Sequence, residues 1–125
     1  MRQLTFSLIL LGLFATASAP AAQNASEGLA QQHFQAAQAA ERKGDYEQAA
    51  AEYREILKLY PDLPEVYNNL GVVYYVQGKN AEAIAAFQKV LAAKPDALGA
   101  NLFLGMAYLR TNQYSNALAP LLNAS

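Results

Sequence analysis

The sequence contains no cysteine and no tryptophan, and His33 is the single histidine among its 125 residues. Without cysteine the chain has no disulfide framework, no thiolate nucleophile and no cysteine-based zinc site. Nine Lys and Arg residues nearly balance ten Asp and Glu residues, which leaves a formal charge of −1. Because so small a charge creates no field that attracts nucleic acid or anionic lipid, we predict neither partner.

Sequence patterns that mark catalytic sites are also missing. The chain has no glycine-rich phosphate loop, no serine elbow and no paired catalytic carboxylates. His33 has neither a cysteine nor a carboxylate pair beside it, so we expect it to pack or to face solvent and not to bind a metal. The sequence therefore predicts a protein without enzymatic activity, cofactor or metal.

The N-terminal segment 1–21 has the pattern of a secretory signal peptide. Arg2 supplies a positive charge, residues 4–17 form an apolar run, and small residues follow. A bilayer span needs roughly 20 apolar residues, so the run is short for a permanent anchor. The pattern predicts export to a bacterial periplasm or to the medium, with an uncleaved membrane anchor as the minor alternative.

The cleavage site sets the start of the folded part. Pro20 fits poorly next to a scissile bond because its φ is locked and its nitrogen carries no hydrogen, so we expect cleavage after Ala21. Residues 22–28 are small and polar and predict a flexible lead-in. We expect one folded domain at 29–125, since 54% of the residues are apolar and can form a core.

Several residue types recur at an interval of 34 positions. Pro61 is followed by Pro95, and Gly44 by Gly78. The same shift aligns Ala49 with Ala83 and Ala117, Tyr53 with Phe87 and Leu121, Ala37 with Gly71 and Gly105, and Ala40 with Tyr74 and Tyr108. A fixed period of this size is typical of stacked supersecondary units.

Each unit is predicted to form two helices. In the middle unit, apolar residues spaced by three and four predict a first helix at about Pro64 to Gln77. After a turn at Gly78, Asn80 is expected to cap a second helix, as Asp45 is in the preceding unit. The sequence thus predicts an all-α protein in which small side chains let the paired helices approach closely.

The pattern resembles the tetratricopeptide repeat family, whose units carry W-x2-L-G-x2-Y, A-x3-F and a proline. The middle unit matches with Tyr67 in place of the tryptophan and with Leu70, Gly71, Tyr74, Ala83, Phe87 and Pro95. The third unit keeps Leu104, Gly105, Tyr108 and Ala117 but has Asn101 at the aromatic position, and the first unit departs most in its first helix. The resemblance implies a right-handed α-α superhelix, or solenoid, with units at about 30–63, 64–97 and 98–125, the last incomplete.

Members of this family are generally scaffolds that hold peptides or proteins in a concave groove lined by the first helix of each unit. The resemblance therefore implies an adaptor function. Carried over by register, the predicted groove residues are Phe34, Gln38, Asn68, Val72, Tyr75, Leu102, Met106 and Leu109. Because the second and third units are largely apolar here, an amphipathic helix or an extended apolar peptide is favoured as ligand over a highly charged one.

One subclass of the family binds the acidic tails of chaperones through a clamp of lysines, arginine and asparagines. Only Asn69 agrees with that clamp, whereas Phe34, Gln38, Gly99 and Phe103 do not. A chaperone tail is therefore not the expected ligand.

The last unit suggests two alternatives to an independent adaptor function. Pro120 falls within its second helix, which we expect to be short, kinked or frayed. The apolar residues Ala117, Leu118, Leu121 and Leu122 provide no polar cap for the last helix. The chain is then either the front of a longer exported protein, an enzyme included, or a structural module that forms a homo-oligomer through this face, without a separate ligand.

Overall fold

A computed structural model describes residues 20–125, with side chains from Ala21 onward. The prediction of a signal peptide falls on residues 1–21, so it lies almost wholly outside the described residues. Among the helices that are described, none has both the length and the hydropathy that a membrane span requires.

Residues 20–125 form six α-helices and no strand. The helices are α1 (Pro20–Arg42), α2 (Tyr46–Leu59), α3 (Pro64–Val76), α4 (Asn80–Ala93), α5 (Leu98–Arg110) and α6 (Tyr114–Asn123). They pair as the hairpins α1/α2, α3/α4 and α5/α6, and α2 packs on α3 as α4 packs on α5. This architecture confirms the predicted all-α solenoid of helical hairpins.

The first helix is longer than the sequence predicts. Residues 22–28, expected to be a flexible lead-in, are helical as part of α1. None of the side chains from Ala21 to Leu29 is buried, and Ala30 is the first to be fully enclosed. The extension therefore encloses no side chain completely, and it continues into the part of the helix whose burial begins at Ala30.

All three hairpins use the same turn. Gly44 and Gly78 have φ values of +74° and +75°, and Asn112, at the equivalent position of the third unit, has a φ of +57°. Glycine adopts this left-handed conformation without strain, and asparagine is among the few other residues that tolerate it. The residue after each donates its backbone N–H to a carbonyl of the preceding helix, as Lys79 does to Tyr74 at 2.8 Å.

The caps that start the second helices differ from one unit to the next. The Asp45 side chain accepts a hydrogen bond from the Gln48 N–H at 3.1 Å, so it caps α2 as expected. Asn80 is instead the first residue of α4, and Lys79 occupies the cap position without a side-chain hydrogen bond. The predicted cap at Asn80 was therefore wrong by one residue.

Close contacts between paired helices occur at the repeated glycines. A Cβ built on Gly71 would lie 2.8 Å from the ring of Phe87, and one built on Gly105 would lie 2.6 Å from Leu121. Phe87 is fully buried. The absence of a side chain at these two positions therefore lets α3 approach α4, and α5 approach α6.

Hydrogen bonds that join neighbouring units repeat with the same period. The Tyr67 hydroxyl donates to the Pro61 carbonyl, and the Asn101 side-chain amide donates to the Pro95 carbonyl, each at 3.0 Å. The Tyr74 and Tyr108 hydroxyls accept from Arg54 and Gln88 of the preceding units at 3.1 and 3.0 Å. Packing of apolar residues is thus supplemented by polar contacts at every joint between units.

The last helix continues through Pro120. α6 has 10 residues, and three of them follow Pro120, so the helix does not end at the proline. Proline has no N–H to donate to the carbonyl four residues earlier, so α6 lacks one bond of its ladder.

Candidate functional site

The accessible part of the predicted groove lies on α5 and α3. Leu102 and Leu109 on α5 are 45% and 42% exposed, and Met106 between them is half-buried. Asn68 and Val72 on α3 are also half-buried. Five of the eight predicted groove residues are therefore within reach of solvent.

Three predicted groove residues are buried. Phe34, Gln38 and Tyr75 are 5%, 9% and 8% exposed. Phe34 packs edge-to-face against Tyr53, with ring centroids 6.1 Å apart. The other buried apolar residues of α1 are alanines, Ala37 among them, so the Phe34 ring supplies the aromatic contact to α2. The first unit consequently contributes less accessible surface than the register predicts.

Tyr75 belongs to a cluster of aromatic rings that joins α3, α4 and α5. Its ring lies 5.3 Å from that of Phe103 in an edge-to-face arrangement, and Phe103 stacks on Phe87 at 5.5 Å. Such pairs stabilise by about 0.5 to 1.5 kcal/mol beyond the area that they bury. Phe103 was missed in the sequence because the equivalent residues, Gln35 and Asn69, are polar and give no repeated signal.

Arg110 covers the outer face of the same cluster. Its guanidinium carbon lies 3.6 Å from the centroid of the Tyr75 ring, and Nη1 donates to the Tyr75 carbonyl at 2.8 Å. An arginine over a tyrosine face is stabilised electrostatically by the ring. Arg110 follows the exposed Leu109 directly, so a cation is fixed at the end of the apolar surface of α5.

The predicted packing residues lie at the contacts within and between units. Leu70, Ala83, Phe87, Leu104 and Ala117 are buried, and Gly71 and Gly105 lie at the close helix contacts. Tyr67, Tyr74 and Tyr108 are half-buried and use their hydroxyls between units. Pro95 is exposed, and its carbonyl accepts the bond from Asn101.

Some of the other ionisable side chains pair with residues that are distant in the sequence. His33 contacts Glu52 at 2.6 Å, and Lys94 contacts Glu65 at 2.5 Å. A hydrogen bond from Lys58 lowers the pKa of Glu55, and burial raises the pKa of Tyr60. From Pro20 to the C-terminus, His, Asp and Glu form no group of three that could hold a metal ion.

Comparison with known proteins identifies the fold as a tetratricopeptide repeat array. The sequence pattern of that family matches residues 34–97 and again residues 74–125. Together the two matches cover most of the chain, so the chain belongs to the tetratricopeptide repeat family.

Individual relatives are distant. A fragment of MamA from Desulfovibrio magneticus RS-1 has 26% identity and a TM-score of 0.73, over 77% of this chain and 54% of that one. The TPR2B domain of yeast Sti1, in a complex with pHsp70, has 24% identity and a TM-score of 0.70, over 77% of each chain. The BBSome complex member BBS4 homolog of Drosophila melanogaster is 27% identical over 79 residues, which are 63% of this chain and 16% of that protein. The chain thus spans only a small part of that relative.

Proposed function

We propose that the protein is an exported adaptor that binds a protein or peptide through the groove face of α3 and α5. The family's concave surfaces generally serve protein interaction and not catalysis. The TPR2B domain of Sti1 is in a complex with pHsp70, and a second domain of the same fold, from RPAP3, is bound to an HSP90 peptide. These complexes support a peptide or protein as the partner of this chain.

The observation that carries the proposal is the exposed apolar surface of the first helices. Leu102, Leu109 and Val76 are between 42% and 51% exposed although they lie beside buried core residues. Contiguous apolar surface marks interaction sites in soluble proteins, and Leu102 and Leu109 lie about two turns apart on α5. The residues of the chaperone-tail clamp are not present apart from Asn69, so the proposed ligand differs from the acidic tails that the clamp holds.

A pulldown from envelope extract tests the groove directly. We expect the double variant Leu102→Gln and Leu109→Gln to lose a partner that the unaltered chain captures. Both residues are already exposed, so the substitutions leave the core intact. The matched control is Leu118→Gln with Leu122→Gln, which alters a similarly exposed pair on α6. Equal capture by the groove variant and the unaltered chain would count against the groove.

Export is part of the same proposal and rests on the N-terminal sequence alone. A short apolar run after Arg2 and small residues before Ala22 support cleavage and release into the envelope. Mass spectrometry of the protein recovered from the periplasm would give its first residue. A chain that retains Met1 and remains with the membrane fraction would overturn cleavage in favour of an anchor.

A structural role is the second candidate, and α6 is the observation that favours it. Leu118 and Leu122 are 62% and 63% exposed, whereas Ile84, at the position of the middle unit that is equivalent to Leu118, is 9% exposed. The internal position is buried because a following unit packs on it. On this alternative the face of α6 packs on another copy or another domain, and the groove has no separate ligand.

A further inference from the structure

Arg110 is held at the groove but is not neutralised there. The Tyr75 carbonyl takes one of its five N–H donors, and the Tyr75 ring covers one face of the guanidinium. None of the ion pairs formed among residues 20–125 includes Arg110. The side chain is exposed, so its other donors can reach a ligand.

The apolar residues of α5 next to Arg110 have the spacing of a helix-packing stripe. Leu102, Met106 and Leu109 follow one another at intervals of four and three. Residues at this spacing share one face of a helix, and the stripe extends over about 10 Å. Alternating steps of four and three are the pattern with which one helix packs along another. An amphipathic helix can place its own apolar residues along this stripe.

From these two observations we infer that the groove takes an amphipathic helix that carries a carboxylate beside its apolar stripe. The apolar side chains of the ligand pack on Leu102, Met106 and Leu109, and its Asp or Glu side chain pairs with Arg110. The Tyr75 contacts restrict the guanidinium before binding, so less side-chain entropy is lost when the pair forms. This inference rests on the proposed groove function and adds the chemical class of the partner.

The test uses two synthetic helical peptides of about four turns, each with blocked ends. Both carry leucines at the four-three spacing and one tryptophan, and one carries glutamates that flank the stripe in its first and last turns. The second peptide has glutamine in place of each glutamate. Because the protein has no tryptophan, the fluorescence of the peptide reports binding directly.

We expect the unaltered protein to bind the glutamate peptide about fivefold more tightly than the glutamine peptide, as for a partly exposed ion pair. In Arg110→Gln the two peptides should bind equally. The control Lys89→Gln removes one exposed positive charge from α4 and should keep the preference. The comparison of the two peptides with the unaltered protein requires no variant, so it tests the inference even if a variant fails to fold.

The outcomes separate this inference from the groove function itself. If both peptides bind equally and Leu102→Gln with Leu109→Gln weakens both, the groove function stands and the role of Arg110 is overturned. If the preference for glutamate persists in Arg110→Gln, Arg110 is likewise not its source. If neither peptide binds the unaltered protein, the helical ligand and the groove as its site are overturned together.

Discussion

Gly71 is a residue at which a single added carbon atom should destabilise the fold. Its missing Cβ leaves room for Phe87, which is fully buried and stacked on Phe103, so the ring has little space to move. We expect Gly71→Ala to lower the free energy of unfolding by about 1 to 3 kcal/mol through overpacking, despite the better helix propensity of alanine.

Gly99 supplies the matched control for this prediction, because it is also helical but has no atom within 4 Å of an added Cβ. Gly99→Ala should be neutral or stabilising by up to about 1 kcal/mol. Urea denaturation followed by circular dichroism measures both variants. A Gly71→Ala protein as stable as Gly99→Ala would show that α3 and α4 are not in close contact.

Two polar residues show why part of the structure could not be predicted from the sequence. Asn101 interrupts the aromatic position of the third unit, yet its side chain is 2% exposed and donates to the Pro95 carbonyl as Tyr67 donates to Pro61. His33 stands at the same position of the first unit and instead pairs with Glu52. A phenol and an amide therefore play the same part in two units, because each donates to the equivalent proline carbonyl of its own unit boundary. A comparison of residue types alone does not reveal this.

At the scale of the element, the bounds of a helix could be predicted from the spacing of its apolar residues and from its turn residues. Spacing of three and four, together with glycine at the turns, predicted Pro64 to Gln77 for the helix observed at Pro64–Val76. The turn at Asn112 was not predicted because asparagine replaces the glycine of the other units. The exposure of the predicted groove residues could not be predicted in this way either. Phe34, for example, is buried because it contacts Tyr53 on another helix.

Pro120 gives a prediction that concerns a whole helix. It interrupts the hydrogen-bond ladder of α6, and proline in a helix interior costs about 3 kcal/mol. We expect Pro120→Ala to raise the free energy of unfolding by up to this amount. The reciprocal change Ala86→Pro, at the equivalent position of α4, should destabilise by about 3 kcal/mol or more. Thermal denaturation compares the two, and no gain in Pro120→Ala would indicate that α6 already accommodates the proline.

At the scale of the whole molecule, the exposed face of α6 predicts self-association if the structural role is correct. We expect the mass from sedimentation equilibrium to increase with concentration, and Leu118→Glu with Leu122→Glu to abolish the increase by placing charge on the apolar face. Leu98→Glu alters a residue with 63% exposure on α5 and should leave association unchanged. A monomer at all concentrations would remove support from this candidate.

The joints between units also determine how such a chain can lengthen. Tyr67 and Asn101 each bond to a carbonyl only six residues earlier in the sequence. If residues 64–97 were duplicated in tandem, the copy of Tyr67 would lie six residues after Pro95, as Tyr67 lies after Pro61. The copy of Pro95 would likewise lie six residues before Asn101. Tandem duplication at this boundary therefore transfers a complete joint with each new unit, so a longer binding surface requires no new side-chain pairing.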